Sequence, residues 1–313
     1  MKENQVYDLI IMGAGPAGLT AGLYASRFGL KTLIIDVQTM GGRAAEASLI
    51  ENYPGFPEGI TGKELTKRMH SQALKFGTEM RLLEEVIDLD FSGNLKIITR
   101  KGTYHSLALI IATGTQRKKL RVQGETEFLG RGVSYCPTCD GPFFKGLRVA
   151  VVGHGEEAIA DALLLADMAK EVLLVTHGKE LEAFEDLRRR LVGKGNITIV
   201  NGEITAILGE NVVKAIKVAD AGTGQETMME INGVFVSLGG VPMTEIVKKA
   251  GILVDQGGCI IVDRWQRTNV EGVFAAGDCT CGGMQVITAA GEGAMAALKS
   301  SSYIKRKKGS IKP

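Results

Sequence analysis

Twice along this chain an apolar run ends in a glycine-rich turn that opens onto a helix-forming segment, and nothing else in the sequence restricts the fold as strongly. The first run is Val6-Tyr7-Asp8-Leu9-Ile10-Ile11-Met12. It is followed by Gly13-Ala14-Gly15-Pro16-Ala17-Gly18 and by a small-residue helical stretch carrying Leu19, Ala21, Leu23 and Ala25. Lys31-Thr32-Leu33-Ile34-Ile35-Asp36 predicts the next strand, with an acid at its end. Glycines in such a turn let backbone amides approach a pyrophosphate, the helix start favours the anion, and an acid at this offset reaches a ribose hydroxyl. The pattern restarts at Leu147-Arg148-Val149-Ala150-Val151-Val152 and Gly153-His154-Gly155-Glu156-Glu157-Ala158, with a helix predicted over residues 159–169 and a strand over 172–175. Further helices are predicted over 61–76 and 288–298, and strands over 95–99, 104–114, 234–237, 260–262 and 273–278 with its closing turn. The fold class is therefore α/β, with two dinucleotide-binding, Rossmann-like domains and hinges near 115–118 and 239–242.

The 313 residues suffice for two such domains. A hydrophobic fraction of 45% with 23% charged residues is ordinary for a soluble α/β chain, and the 41 glycines gather in specific turns. No apolar run approaches the ~18 residues that span a bilayer, so no membrane segment is expected. The opening residues, Met1 to Gln5, carry no signal-peptide core, and a cytoplasmic location is the expectation. The basic clusters Arg117-Lys118-Lys119-Leu120-Arg121, Leu187-Arg188-Arg189-Arg190-Leu191 and Lys305-Arg306-Lys307-Lys308 with Lys312 lack interleaved aromatics, so no nucleic-acid partner is implied. They read as a solvated hinge, an exposed helix face and a frayed terminus. The sharper reading of the hinge and tail is a docking surface for an acidic protein such as a ferredoxin.

Between the two patterns lies Cys136-Pro137-Thr138-Cys139-Asp140. Cysteines at this spacing close a readily reducible disulfide. A thiolate beside an acid is a competent nucleophile and electron relay. The odd total of five cysteines, without framework spacing, argues against a secreted disulfide scaffold. A zinc half-site is the alternative. It needs two more ligands, which Cys279-Thr280-Cys281 offers, although that C-x-C beside Gly277-Asp278 better suits a flavin-binding turn, and no metal is expected. Cys279 and Cys281 read as buried turn cysteines, with an auxiliary thiol pair as the sharper reading, and Cys259 as a strand residue.

Six motifs in order, Gly13 to Gly18, Gly41-Gly42, Glu51-Asn52-Tyr53-Pro54-Gly55-Phe56, Ala112-Thr113-Gly114, Cys136 to Gly141, and Gly277-Asp278, make the chain resemble the low-molecular-weight, flavin-dependent thioredoxin reductases. The resemblance spans nearly the whole length. It implies bound FAD, held by Gly13, Gly15, Pro16, Ala17, Gly18 and Asp36. Gly41, Gly42 and Asn52 would lie by the flavin, with Ala112, Thr113 and Gly114 at the site, and Gly277 and Asp278 along the ribityl–phosphate chain. It further implies an FAD domain split into 1–115 and 243–313, with an inserted domain over 116–242 that resembles a nicotinamide-binding domain and carries the dithiol. Cys139 would face the flavin, Cys136 would attack the disulfide of a thioredoxin-like protein, and Asp140 would manage protons. A homodimer, and a rotation of the inserted domain during turnover, are also implied.

The chain departs from that family at several places. Arg43 stands where a Gln usually follows the glycine pair, and Met284-Gln285 replaces an Arg-Gln pair near the flavin. At the second glycine turn, Glu156 and Glu157 occupy the helix start and oppose a diphosphate. NADPH-using relatives clamp the 2′-phosphate with arginines. Here the corresponding stretch is Thr176-His177-Gly178, with Glu182 where the last arginine would fall. Losing such contacts costs about 2–3 kcal/mol each. The chain thus resembles the branch without the clamp, fed by ferredoxin or reduced deazaflavin, and NADPH is disfavoured. The alternatives are an NAD(P)H-dependent thioredoxin reductase with a divergent nicotinamide site, a flavin dithiol oxidase that uses oxygen, and a non-catalytic redox sensor.

Overall fold

The computed structural model describes residues 5–47, 49–93 and 95–310. The first four residues and Lys312, read above with the terminus and the basic tail, lie outside them. The chain packs as two units: Met1–Gln116 with Pro242–Pro313, and Arg117–Val241.

In the first unit the strand Gln5–Met12 runs parallel between Thr32–Ile35 and Thr103–Ile111, with Ile11 opposite Ile34 on one side and Ile110 on the other. Glu79–Arg81 extends the sheet beyond Thr32–Ile35, Val273–Ala275 pairs parallel with Thr103–Ile111, and Leu95–Thr99 and Val86–Asp90 add an antiparallel edge. Leu9, Ile10 and Ile11 are all fully buried because both faces of the sheet are covered, which is why this strand reads as an unbroken apolar run. Leu9 and Ile11 face a cluster with Leu19, Ala21, Ala25, Ala296 and Ala297, while Ile10 and Met12 face Leu33, Leu109 and Val273.

Two helices cover the first of these faces, Pro16–Arg27 and Val286–Ser310. They approach to backbone contact: a Cβ at Gly293 would lie 2.1 Å from the Ala17 carbonyl oxygen. Alanine and glycine in both helices are therefore a packing requirement. The second helix runs well past the predicted 288–298. Its last turns carry Lys305 to Lys308, cations that suit a helix C-terminus, and Lys308 pairs with Asp8 at 2.6 Å. The basic tail through residue 308 is thus helical and not a frayed terminus. The chain's single tryptophan, Trp265, has the Lys299 ammonium 3.8 Å and the Arg264 guanidinium 4.7 Å from its ring centroid.

The strand predicted over 260–262 does not form. Gly257 and Gly258 turn the chain so sharply that only a single bridge, Val254 with Ile260, closes a short hairpin. Cys259 sits in that hairpin and not in a strand.

The second unit has a five-stranded parallel sheet in the order Ile197–Val200, Glu171–Val175, Arg148–Val152, Gly233–Val236, Val133–Ser134. The helix Glu156–Ala166 covers one face through Ile159, Ala162 and Leu165. The other face is covered by an antiparallel sheet, Gly202–Gly209, Val213–Asp220 and Glu226–Glu230, which the apolar runs did not predict. Arg188, Arg189 and Arg190 are exposed on the helix Glu185–Val192. None of the helices among the described residues is long and apolar enough to cross a membrane.

Candidate functional site

The first glycine turn is shaped by close backbone approach. Gly13 has φ +113°, and a Cβ there would lie 2.1 Å from the Ala112 oxygen; at Gly18 it would lie 1.8 Å from the Gly13 oxygen. Gly15 differs: its φ is −77°, and no atom lies within 4 Å of the place where a Cβ would stand. Gly15 caps the helix Pro16–Arg27 without any side-chain hydrogen bond, and a helix start of this kind suits an anion. The Gly41 amide donates to the Ala14 carbonyl at 2.8 Å, and a Cβ on Gly42 would be 3.4 Å from Gly15 Cα. Asp36 accepts from the Ala14 amide at 2.6 Å and the Gln38 amide at 2.7 Å. A carboxylate has about four lone-pair sites, so capacity for ribose hydroxyls remains. An open cradle at Gly15 beside a fixed carboxylate fits the pyrophosphate and ribose of FAD.

The strands Thr103–Ile111 and Val273–Ala275 end side by side and deliver Ala112-Thr113-Gly114 and Gly277-Asp278 to the same end of the sheet. Thr113 Oγ1 donates to the Met243 carbonyl at 2.9 Å, and the Met243 amide to the Gly114 carbonyl at 3.1 Å. A Cβ at Gly277 would stand 2.8 Å from Ala17 Cβ, which places this turn against the first helix. Burial pushes the Asp278 carboxyl above its usual range, opposed by the nearby Arg43 guanidinium. Arg43 Nη1 donates to Thr115 Oγ1 at 3.0 Å, and Asn52 Nδ2 to Gln285 Oε1 at 2.9 Å. Met284 is exposed, in a left-handed conformation with φ +53°.

One anchor escaped the sequence reading. Glu292, on the helix Val286–Ser310, accepts from the Gly277 amide at 2.7 Å and from Thr280 Oγ1 at 3.1 Å. Burial raises its carboxyl, and Asp278 adds to the shift. A lone acid within the small-residue run 288–298 was the available signal.

The dithiol belongs to the second unit. Ser134, at the end of its strand, accepts the Cys136 amide at 2.9 Å. Cys136 then starts the one-turn helix Pro137–Asp140, whose first position is proline, and the Cys139 and Asp140 amides both donate to the Cys136 carbonyl. Cys136 and Cys139 form a disulfide with Cα atoms 5.3 Å apart. Pro137 is buried, Cys136 and Asp140 are half-buried, and Cys139 is exposed. Just ahead, the buried Glu125 carboxylate accepts from the Leu120 amide at 2.7 Å, the Arg121 amide at 2.6 Å and the Tyr135 hydroxyl. Burial and this carboxylate push the Tyr135 phenol well above its usual range. Glu125 thus ties the basic stretch 117–121 to the residue preceding Cys136.

The second glycine turn keeps its backbone shape. A Cβ at Gly153 would lie 2.1 Å from the Ser237 oxygen, while Gly155 is open. Its charges are mixed. Glu156 and Glu157 occupy the first helical turn, with Arg117 3.6 Å from Glu157. The Glu182 amide donates to the His154 carbonyl at 2.7 Å, so this acidic segment runs beside the turn. Thr176 is buried, its Oγ1 3.2 Å from Asn201 Oδ1. The His154 imidazole is pushed below its usual range, first by burial, then by Lys179, with His177 and Lys118 adding and Glu182 opposing. Positive charge therefore survives near the turn, from Lys118, Lys179 and Arg117.

The remaining cysteines differ from expectation. Cys259 and Cys281 form a second disulfide, with Cα atoms 5.7 Å apart. Cys279 is fully buried, its Sγ near the Ile111 and Ala276 carbonyls, and burial pushes its thiol up to about 11. Cys281 takes a left-handed conformation, φ +59°, that ends the turn at Asp278–Thr280 and separates it from Cys279. The reading of Cys279 and Cys281 as an auxiliary pair is thereby corrected, as is that of Cys281 as an ordinary turn thiol. With four sulfurs in disulfides, the zinc reading loses its thiolates.

Residues 7–293 match the family model described as pyridine nucleotide-disulphide oxidoreductase. The thioredoxin reductase of Treponema pallidum (strain Nichols) is 39% identical over 301 residues, covering 95% of this chain and 97% of that protein. The crystal structure of Lactococcus lactis thioredoxin reductase, in its FR conformation, matches with a TM-score of 0.92 at 34% identity, over 96% of this chain and 99% of that one. A ferredoxin-flavin thioredoxin reductase from Clostridium acetobutylicum matches with a TM-score of 0.54 at 32% identity, over 97% of this chain and 100% of that one.

Proposed function

The chain belongs to the thioredoxin reductases of the pyridine nucleotide-disulphide oxidoreductase family, and on that premise we propose that it passes two electrons through Cys136–Cys139 to a thioredoxin-like protein, from a donor other than NADPH. As a family member it is a flavin-dependent disulfide oxidoreductase. The observation that carries the reading is the disulfide itself, at the start of a one-turn helix, in a chain whose other unit has an open dinucleotide cradle.

FAD, when bound and reduced by the donor, would supply the two electrons that open Cys136–Cys139. The chain's own residues do the rest. Asp140, two peptide bonds after Thr138 and next to Cys139, holds the proton that Cys139 gains and loses. Cys136, fixed through its amide to Ser134, attacks the partner's disulfide and forms a mixed disulfide. Cys139 then attacks Cys136 Sγ. The internal disulfide closes again, and the partner leaves as a dithiol. Asp36, Gly15 and the helix start hold the cofactor's phosphates and ribose.

The donor reading rests on Glu156 and Glu157 at the second helix start and on Glu182 alongside the turn. Ferredoxin is the leading candidate, as named for the Clostridium acetobutylicum relative, with reduced deazaflavin beside it. A second reading, a nicotinamide donor at a divergent site, is favoured by Lys118, Lys179 and His177 around His154. The homodimer and the domain rotation rest on the family resemblance, and the cytoplasmic location on the opening residues of the sequence.

The test is anaerobic. The purified holoprotein, and a Cys136→Ser variant, are mixed with NADPH, NADH, reduced ferredoxin or reduced deazaflavin, and then with oxidised thioredoxin. Flavin bleaching by ferredoxin or deazaflavin, without bleaching at millimolar NADPH, is expected. The variant should keep FAD and lose at least about a hundredfold in thioredoxin reduction. Bleaching at micromolar NADPH would move the chain to the nicotinamide reading, and full turnover by Cys136→Ser would overturn the dithiol route.

A further inference from the structure

The second disulfide stands outside the reaction just described. Cys259 and Cys281 are separated by 22 residues and both are partly exposed, whereas Cys279 between them is sealed in the core. Their partners in the fold are informative. Cys259 lies in the hairpin of residues 254–260, its amide bonded to Asp255 Oδ1 at 2.9 Å. Cys281 begins a stretch that no regular structure supports: Cys281 at φ +59°, Gly282, Gly283 at φ +153° and Met284 at φ +53°. Two non-glycine residues in the left-handed region cost free energy that the surrounding structure must offset. Immediately beyond, Gln285 holds Asn52.

Other contacts fasten the upstream half of this loop. Glu292 holds Gly277 and Thr280, and the Ile260 amide donates to the Cys279 carbonyl at 2.8 Å. Downstream, the Cys281 sulfur bridge is the covalent fastening of residues 281–284. Gln285 is held from its far side by the helix start, its amide donating to Thr288 Oγ1 at 3.2 Å and its carbonyl accepting from Thr288 Oγ1 at 2.9 Å. Opening the bridge leaves Asp278 and Gln285 in place and removes the covalent hold on residues 281–284, which carry Met284.

We propose that Cys259–Cys281 is a second thiol–disulfide exchange site, open to the dithiol of a thioredoxin-like protein, and that its reduction unfastens the 281–284 segment, between the Asp278 turn and Gln285. The exchange balances in two steps. A thiolate of the incoming dithiol attacks one of the two sulfurs, forming a mixed disulfide and expelling the other as a thiolate that takes up a proton. The second thiol of the incoming protein then closes its own disulfide, releasing the remaining cysteine as a thiol. Two electrons and two protons reach Cys259 and Cys281, and the partner leaves oxidised. Because the proposed product of the enzyme is such a dithiol, accumulated product would act back on the enzyme's own cofactor loop. That feedback rests on the function proposed above; the exchange chemistry does not.

The experiment uses holoprotein carrying Cys136→Ser and Cys139→Ser, so that the active-site pair contributes nothing. Thiols are alkylated before and after anaerobic incubation with dithiothreitol, and the modified cysteines are located by mass spectrometry. FAD release is followed by flavin fluorescence in the same samples. Cys259 and Cys281 should be blocked before reduction and alkylated after it, with Cys279 unmodified throughout. FAD release should rise about tenfold, the weight of one ordinary hydrogen bond. A variant that adds Cys259→Ser and Cys281→Ser should release FAD at the higher rate with or without dithiothreitol. Alkylation of both cysteines before reduction would overturn the proposal. So would resistance to dithiothreitol until the protein is unfolded, or reduction with unchanged FAD release. A protein that never retains FAD would instead sink the flavin reading and leave the labelling result standing on its own.

Discussion

At the scale of single residues, Gly15 separates folding from binding. A methyl group there meets nothing in the protein, so Gly15→Ala should leave the melting temperature of FAD-free protein unchanged while weakening FAD by about tenfold or more, measured by flavin titration. Gly13→Ala, whose Cβ would strike the Ala112 carbonyl, should instead fail to give folded protein. Asp278 makes a pH prediction. Its carboxyl is raised by burial, so the fold favours the protonated form. Stability from this group is complete below the usual carboxylate range and is lost as pH rises through that range to the raised value. Without FAD, Asp278→Asn should therefore melt higher than the wild type at neutral pH, with the gap closing towards about pH 4. Calorimetry at several pH values checks this. Residues such as Gly13, Gly15 and Asp36 were legible in the sequence because their roles follow from local spacing. Glu292 and the Cys259–Cys281 bridge were not, because each acts across a turn whose left-handed residues include a cysteine and a methionine, types that do not advertise that conformation.

At the scale of elements, a small number of buried carboxylates do what loops cannot do alone. Glu125 satisfies two amides and a phenol at once while only 3% exposed. Glu125→Ala would leave those donors buried without an acceptor, at roughly 3 kcal/mol, and Glu125→Gln should recover part of the loss; urea unfolding measures both. The Cys259–Cys281 bridge should contribute about 3 kcal/mol by restricting the unfolded chain. Strands buried on both faces were readable as apolar runs, and helices as small-residue or 3.6-period segments. The sheet of Gly202–Gly209, Val213–Asp220 and Glu226–Glu230 was not. It is buried on one face only, and its Ile204, Ile207 and Val213 are interrupted by charged and exposed positions and by bulges that break a strict alternation. The hairpin of residues 254–260 was misread for the opposite reason: Ile260-Ile261-Val262 has strand composition, but after two glycines it folds back on residues 253–255 in a single bridge and not a ladder.

At the scale of the whole molecule, the chain uses one architectural idea twice and equips the two copies differently. The unit of residues 1–116 and 242–313 pairs its glycine turn with a carboxylate fixed at Asp36, whereas the unit of residues 117–241 surrounds its turn with charges of both signs. A chain of two units need not unfold in one step. The placement of Trp265 gives a direct way to see this, since the only indole in the protein belongs to the first unit, under the Lys299 and Arg264 side chains. Tryptophan emission, excited selectively over tyrosine, therefore reports melting of that unit alone, while circular dichroism sums over both. Saturating FAD at ~100 times its dissociation constant should raise the fluorescence-detected stability by about 2.7 kcal/mol. Any part of the dichroism signal that does not move with it belongs to residues 117–241. The stacked tryptophan is thus a built-in optical gauge, one that lets each half of the protein be followed without attaching a label.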